Sequence, residues 1–351
     1  MLIAHRALIM TASAVAASFI GIFPAGAKKK THKPDNSSVK VRSVTVSSRA
    51  IRNFHRDGGH RPIVGKLKWR GGLVLSSADN AFGGYSGLSL SADGKSLLAV
   101  SDAGTWLAAR LNYHEGRLAG VSKAKIGPLL ALKNRRLQRR RDRDAEGIRL
   151  LQGNLQNGVA LVSFEINQRI GFFNIRGGRL AGPARYLRPT RRLPVNKGLE
   201  SIALFGKKSR RRDAIAFAER SLDANGHHRG WIWKNLKGPA RPVALRNLDG
   251  FDITDAVGLK NGDLLVLERR FRWSEGVKMR VRRIKAAMLR PGAVLNALTL
   301  VKADMRYEID NMEGLAVYQD AAGKTVITLI SDNNFNSFLQ RTLLLQFELL
   351  G

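Results

Sequence analysis

Four carboxylates introduce an apolar run in nearly the same words. Ala145-Glu146-Gly147-Ile148, Leu199-Glu200-Ser201-Ile202, Thr254-Asp255-Ala256-Val257 and Met312-Glu313-Gly314-Leu315 each set an acid at the head of a strand-like segment. Ser86-Gly87-Leu88 repeats the phrase with a hydroxyl in the acid's place. A second acidic series follows 13 to 19 residues later, at Asp102, Glu165, Glu219, Glu268 and Asp332. Carboxylates gathered in one place must be neutralised by a raised proton affinity, by arginine or by a cation. The chain has no cysteine and only 7 histidines. A hard, oxygen-loving ion such as Ca²⁺ or Mg²⁺ therefore suits these acids better than zinc. Arginines stand directly behind two of them, Arg220 after Glu219 and Arg269-Arg270 after Glu268, and cation plus guanidinium is a way to bind and polarise a phosphate ester.

The elements that would position these residues repeat. The marker positions Ser86, Glu146, Glu200, Asp255 and Glu313 are 60, 54, 55 and 58 residues apart, a period suited to several short strands per unit. Within a unit, strand and turn alternate: Leu88–Ser91, a turn at Ala92-Asp93-Gly94-Lys95, then Ser96–Ser101. Asp-Gly and Asn-Gly between apolar runs mark hairpins because both residues tolerate positive φ. This predicts an all-β propeller, with one domain over 46–351. Five units are visible, and the length accommodates six with one degenerate, so six blades are expected. The last unit has room for three strands, and a strand pair at 63–75 stands alone; a ring that lets N-terminal strands complete its C-terminal blade leaves no open edge. In a propeller the first strand of each blade lines the central channel, so the marker acids are predicted to ring one mouth, with the following glycine letting backbones crowd at the axis. A single such acid would ordinarily cap a turn on a solvated rim; several in equivalent positions favour the ring. The stretches 105–144 and 274–300 are the least readable.

Sixty Lys+Arg against 27 Asp+Glu give a net charge of +33, which predicts attraction to phosphates or anionic surfaces and is silent about fold. The basic runs 133–141, 188–192 and 207–212 fall between strands, while Lys278–Arg283 alternates like an exposed edge strand. Aromatics amount to 7% and do not interleave with arginine as stacking platforms would, so nucleic acid is not the expected partner. Residues 1–27 read as a Sec-type export signal ending in Ala25-Gly26-Ala27, with a short membrane anchor as the rival; 28–45 reads as a disordered basic leader. A periplasmic or secreted monomer is expected. Gly84-Tyr85-Ser86-Gly87-Leu88 lacks the last glycine of a nucleophile elbow. His60 sits in an isolated Gly-His-Arg-Pro, His227-His228 reads as a solvated loop tip, and no P-loop, HExxH or EF-hand spacing occurs.

Taken together, DAEGI at 144–148, LESIA at 199–203, FDITDAVGLKNGDLLVLERRF at 251–271, DNMEGLAV at 310–317 and LISDNNF at 329–335 resemble the exported phytase-like family described by its esterase-like activity. The resemblance runs over about 80–351. It implies a β-propeller and phosphomonoester or ester hydrolysis with calcium, and carries Glu146, Glu200, Asp255, Glu268, Arg269, Glu313 and Asp332 as motif positions without assigning roles. Ser86 and the arginine-rich insert 133–143 depart from the pattern. The expected arrangement has Ca²⁺ on Glu146, Glu200, Glu313 and Asp332, with Glu146, Glu200, Asp255, Glu268 and Arg269 catalytic. Arg220, Arg269, Arg270 and Asn333 are expected to bind a small phosphate or carboxylic ester. The alternative is a non-catalytic propeller whose basic rim holds anionic envelope components.

Overall fold

A computed structural model describes residues 39–59, 61–189, 198–208 and 211–351. The export signal, the leader up to 38, His60 and parts of the basic runs at 190–192 and 209–210 lie outside the described residues.

Five sheets make five blades, each led by one of the recurring phrases, and all their described pairings are antiparallel except that Val294–Leu295 joins the edge of blade 3 in parallel. Blade 1 comprises Tyr85–Leu90, Ser96–Ser101, Thr105–His114 and Arg117–Pro128; blade 2 comprises Ala145–Gly153, Asn157–Phe164, Arg169–Arg176 and Arg179–Leu187. Blade 3 runs Ala203–Lys208, Arg211–Leu222, His228–Trp233 and Arg241–Leu245, and blade 4 runs Asp252–Gly258, Leu264–Arg272, Gly276–Ile284 and Leu298–Ala303. Blade 5 holds Met312–Gln319, Thr325–Ser331 and Thr342–Leu349, then Leu67–Ser76 paired antiparallel to Thr342–Leu349, and Ser47–Ile51 outside that.

The expected six blades are five. The unreadable stretches 105–144 and 274–300, which read as spare length, hold the outer strands of blades 1 and 4, and the pair at 63–75 lies in blade 5. The leader also ends earlier than expected. Val39 is buried, Arg42–Ser43 pairs with Lys125 and Ile126 at the edge of blade 1, and Arg42 grips Asp79 through Nε and Nη2 at 2.7 and 2.6 Å. The polar average of the stretch concealed Val39, Val44 and Val46, which pack against the core between blades 5 and 1.

Each innermost strand touches that of the next blade, closing the ring from blade 5 to blade 1. Five hydrophobic clusters fill the five gaps between neighbouring blades, so the core is distributed around the ring. At the axis the backbones crowd. A Cβ on Gly87 would stand 2.8 Å from the Glu146 carbonyl oxygen, and one on Gly314 would stand 3.2 Å from the Leu88 amide. Glycine at these two places permits a spacing that no side chain would.

Candidate active site at the channel mouth

The way each acid reaches the channel is written in the strand register. In blade 1 Tyr85 pairs with Ser101 and Gly87 with Val100, so Ser86 is skipped. Blade 2 pairs Ala145 with Phe164 and Gly147 with Ser163, skipping Glu146; blade 5 pairs Met312 with Ser331 and Gly314 with Ile330, skipping Glu313. A β-bulge of this kind re-aims one side chain out of the pleat. Repeated around the ring, it turns Ser86, Glu146 and Glu313 into one opening. Glu200 in blade 3 joins them just before its strand, where Leu199 bridges Ala218. The residue after each bulge partner is the second acid. Asp102, Glu165, Glu219 and Asp332 line the same cavity, of about 570 Å³.

Blade 4 breaks the series. There Ile253 pairs with Glu268 and Asp255 with Leu267, so the skipped residue is Thr254 and the residue after the bulge partner is Arg269. Asp255 and Glu268, expected at the mouth as catalytic acids, are both one position out of register, and a one-residue step turns a side chain to the other face. Asp255 is fully buried on the axis. Its Oδ1 accepts from Arg149 Nη2 at 2.6 Å and from the Ala256 amide at 2.8 Å, and its Oδ2 accepts from the Leu315 amide at 2.7 Å. Arg149 also donates to the carbonyls of Leu88 and Ala256, so this pair ties blades 1, 2, 4 and 5 across the channel. Glu268 is inside blade 4, held by Arg280 Nε at 2.6 Å and Arg282 Nη1 at 2.8 Å. The Lys278–Arg283 segment is therefore an interior strand with two buried arginines facing a buried acid. The edge expected from its alternation is not there.

Two further expected residues also point elsewhere. Arg270, alternating with Arg269, donates to the Asp249 carbonyl and to Glu275. Asn333 accepts from the amides of Gly84 and Phe335 and faces a neighbouring cavity. His228 is buried, with Nε2 2.9 Å from the Phe251 carbonyl oxygen, in place of the solvated position expected for it.

What the structure gathers is Ser86, Asp102, Glu146, Glu165, Glu200, Glu219, Glu313 and Asp332 around Arg220 and Arg269. Among the described residues, seven carboxylates line the cavity against two guanidinium groups. Carboxylate oxygens of Asp144, Glu146 and Glu165 lie within 4.8 Å of one another, as do those of Glu165, Glu200 and Glu219. Glu146 and Glu200, expected to hold metal, thus share Glu165 between them. Glu313 and Asp332, expected beside them, line the cavity outside these two groups. Asp144, Glu165 and Glu219 were visible in the sequence, yet carried no expected role.

Arg269 explains the division. Its Nε lies 3.0 Å from Glu313 Oε1, a close ion pair without hydrogen-bond alignment, and its Nη2 lies 3.4 Å from Glu219 Oε1. Arg220 reaches Asp252 at 2.6 Å. Burial lifts Glu146 and Glu200 well above the ordinary carboxylate range, and neighbouring acids add to it: Asp144 and Asp102 for Glu146, Glu146 and Glu219 for Glu200. Glu313 is pushed up to about 7 by burial, with Arg269 pulling the other way. Such a donor set, all oxygen and negatively charged, fits a hard cation.

A family model described as phytase-like, with esterase-like activity of phytase, matches residues 80–335. No curated protein matches the sequence. Among solved structures the chain is similar to a gluconolactonase from Xanthomonas campestris, with 8% identity, a TM-score of 0.39, and coverage of 80% of this chain and 78% of that one.

Proposed function

The chain belongs to the phytase-like family, and from that premise we propose that it hydrolyses phosphate or carboxylic esters in the acid-lined mouth with the help of a bound Ca²⁺ ion. The observation that carries this reading is the cavity's charge balance, seven carboxylates facing two arginines on a chain that is otherwise strongly cationic. Burying that much like charge opposes folding, and a cation or a substrate-linked proton is what relieves it. Asp144, Glu146, Glu165, Glu200 and Glu219 would hold the ion. When bound, calcium supplies Lewis-acid polarisation of the ester and acidifies water. Arg220 and Arg269 draw in the anionic end of the substrate and stabilise negative charge as it develops. Glu313, near neutrality in its proton affinity, takes the proton of the attacking water. The export signal read at 1–27 supports placing this activity in the periplasm or outside the cell, and the acting species is taken to be a monomer.

Turnover of aryl phosphates and short-chain aryl esters by the purified protein, with calcium and with chelator, tests the proposal. Absence of turnover for both classes with calcium present would overturn it. A second reading, a non-catalytic propeller holding anionic envelope components, is favoured by the exposed Arg135, Arg139, Arg140 and Arg141. It predicts salt-sensitive binding without turnover that Glu313→Ala leaves intact.

A further inference from the structure

The second strand of every blade ends at the acid-lined cavity, so the hairpins that follow, and the links from each fourth strand to the next blade, emerge on that same face. Among the described residues, six of the twelve exposed large apolar side chains lie on these connections, and two more, Leu222 and Phe271, lie at the ends of the second strands that lead into them. The four others, Val41, Ile63, Val294 and Leu298, sit at outer edges or the far end. Trp273 is 95% exposed, Phe338 92% and Leu339 72%. Such concentration on one face of a folded chain marks an interaction site, whereas scattered apolar residues would not.

These side chains are held out by built structure. Glu275, two residues past Trp273, collects Arg270, Arg272 and Lys278, and Trp273 rests edge-on against Phe271 at 5.7 Å. On the other loop, Asn334 Nδ2 donates to Gln340 Oε1, and the Asn336 carbonyl accepts from the amides of Leu339 and Gln340. The link between blades 1 and 2 displays positive charge outward on this face. Arg135, Arg139, Arg140 and Arg141 are exposed on the link between blades 1 and 2, while Glu146, Glu200, Glu313 and Asp332 are recessed and buried.

We propose that the mouth face docks on an anionic phospholipid surface. Trp273, Phe338 and Leu339 enter the boundary between headgroups and acyl chains, and the arginines of 135–141 meet lipid phosphates, a pairing of apolar anchors with basic residues that peripheral binding requires. Its corollary, which rests on the hydrolase reading, is that the ester substrate is amphipathic and reaches the cavity from that surface.

The test uses residues 28–351, which keep every described core residue and omit the apolar run 7–23 that would itself bind lipid. Partition between water and vesicles of phosphatidylcholine, with and without phosphatidylglycerol, is measured by co-sedimentation in chelator, beside turnover of a soluble aryl ester in calcium. Binding to the anionic vesicles is expected. Trp273→Ser with Phe338→Ser should weaken it by at least about tenfold. Replacing Arg135, Arg139, Arg140 and Arg141 by Gln should weaken it by about a hundredfold. Soluble turnover should persist in both variants. Brominated acyl chains should quench Trp273 and spare the other four tryptophans, which are buried.

No binding, equal binding to neutral vesicles, or binding that survives the loss of Trp273 and Phe338 would overturn the docking. So would a wild-type dimer in light scattering that Trp273→Ser dissolves, since a second copy would then be the occupant. Vesicle binding without soluble turnover would keep the docking and remove the hydrolase; turnover without vesicle binding would do the reverse.

Discussion

Replacing Glu200 by Gln should change the protein's stability in opposite directions with and without calcium. Glu200 is buried beside carboxylates of Glu165 and Glu219 whose oxygens lie within 4.8 Å of its own. Two unit charges at that separation repel by about 3 kcal/mol at an effective dielectric of ~20. Removing one charge therefore stabilises the metal-free protein by up to about that amount, less whatever protonation already relieves. Calcium at a hundred times its dissociation constant stabilises the wild type by about 2.7 kcal/mol. The variant, short of one ligand, gains only a fraction of this. Thermal unfolding in chelator should place Glu200→Gln several degrees above wild type, since ~1 kcal/mol moves Tm by about 2–4 °C in chains of a few hundred residues. In calcium the order should reverse. If calcium shifts neither protein, or shifts both equally while the variant shows no gain in chelator, the cavity's acids are not a cation site and the reasoning fails.

Three other outcomes follow from the same geometry. In chelator, unfolding free energy should fall as pH rises from about 4 to about 7: Asp255 at about 6 and Glu313 at about 7 bind protons more tightly in the folded chain than in the unfolded one, so folding is favoured at the acid end. Calorimetry across that window checks the sign, and a rise would contradict it. Glu268→Ala should destabilise by about 3–5 kcal/mol, because it leaves Arg280 and Arg282 charged and buried without their acid; denaturant unfolding measures this, and a cost under about 1 kcal/mol would contradict the assignment. Gly87→Ala should cost about 1–3 kcal/mol, since its Cβ would meet the Glu146 carbonyl and the Gly147 backbone, neither of which can turn aside; unchanged stability would show that the axis has slack.

Much of the fold was legible because the repeating phrase is a structural device. The bulge that turns Glu146 and Glu313 into the channel, and the glycine that follows, recur with the same local chemistry wherever the backbone makes the same turn. Blade number was less legible. Outer strands such as Arg117–Pro128 and Leu298–Ala303 are polar on their exposed side and lack the apolar signature of the inner ones, so their residues read as spare length.

The failure at blade 4 is more instructive, since acids were aligned with acids there. Aligning Ile253 with Ala145 and Met312, the apolar residues that pair across the hairpin, would have put Arg269 at the mouth and Asp255 and Glu268 inside. A buried pairing partner constrains register more tightly than a charge does, because displacing it by one residue exposes a core side chain, whereas an acid can find a partner on either face. The slip also has a consequence for the site. With arginine at the blade 4 position, acid oxygens gather toward blades 2 and 3 and positive charge toward blade 4, where Arg269 engages Glu313 and Glu219. A ring of five equivalent acids would have bound a cation without orienting anything. Interrupted by Arg269, it gains an electrostatic direction, the one along which the proposed anionic ester would lie.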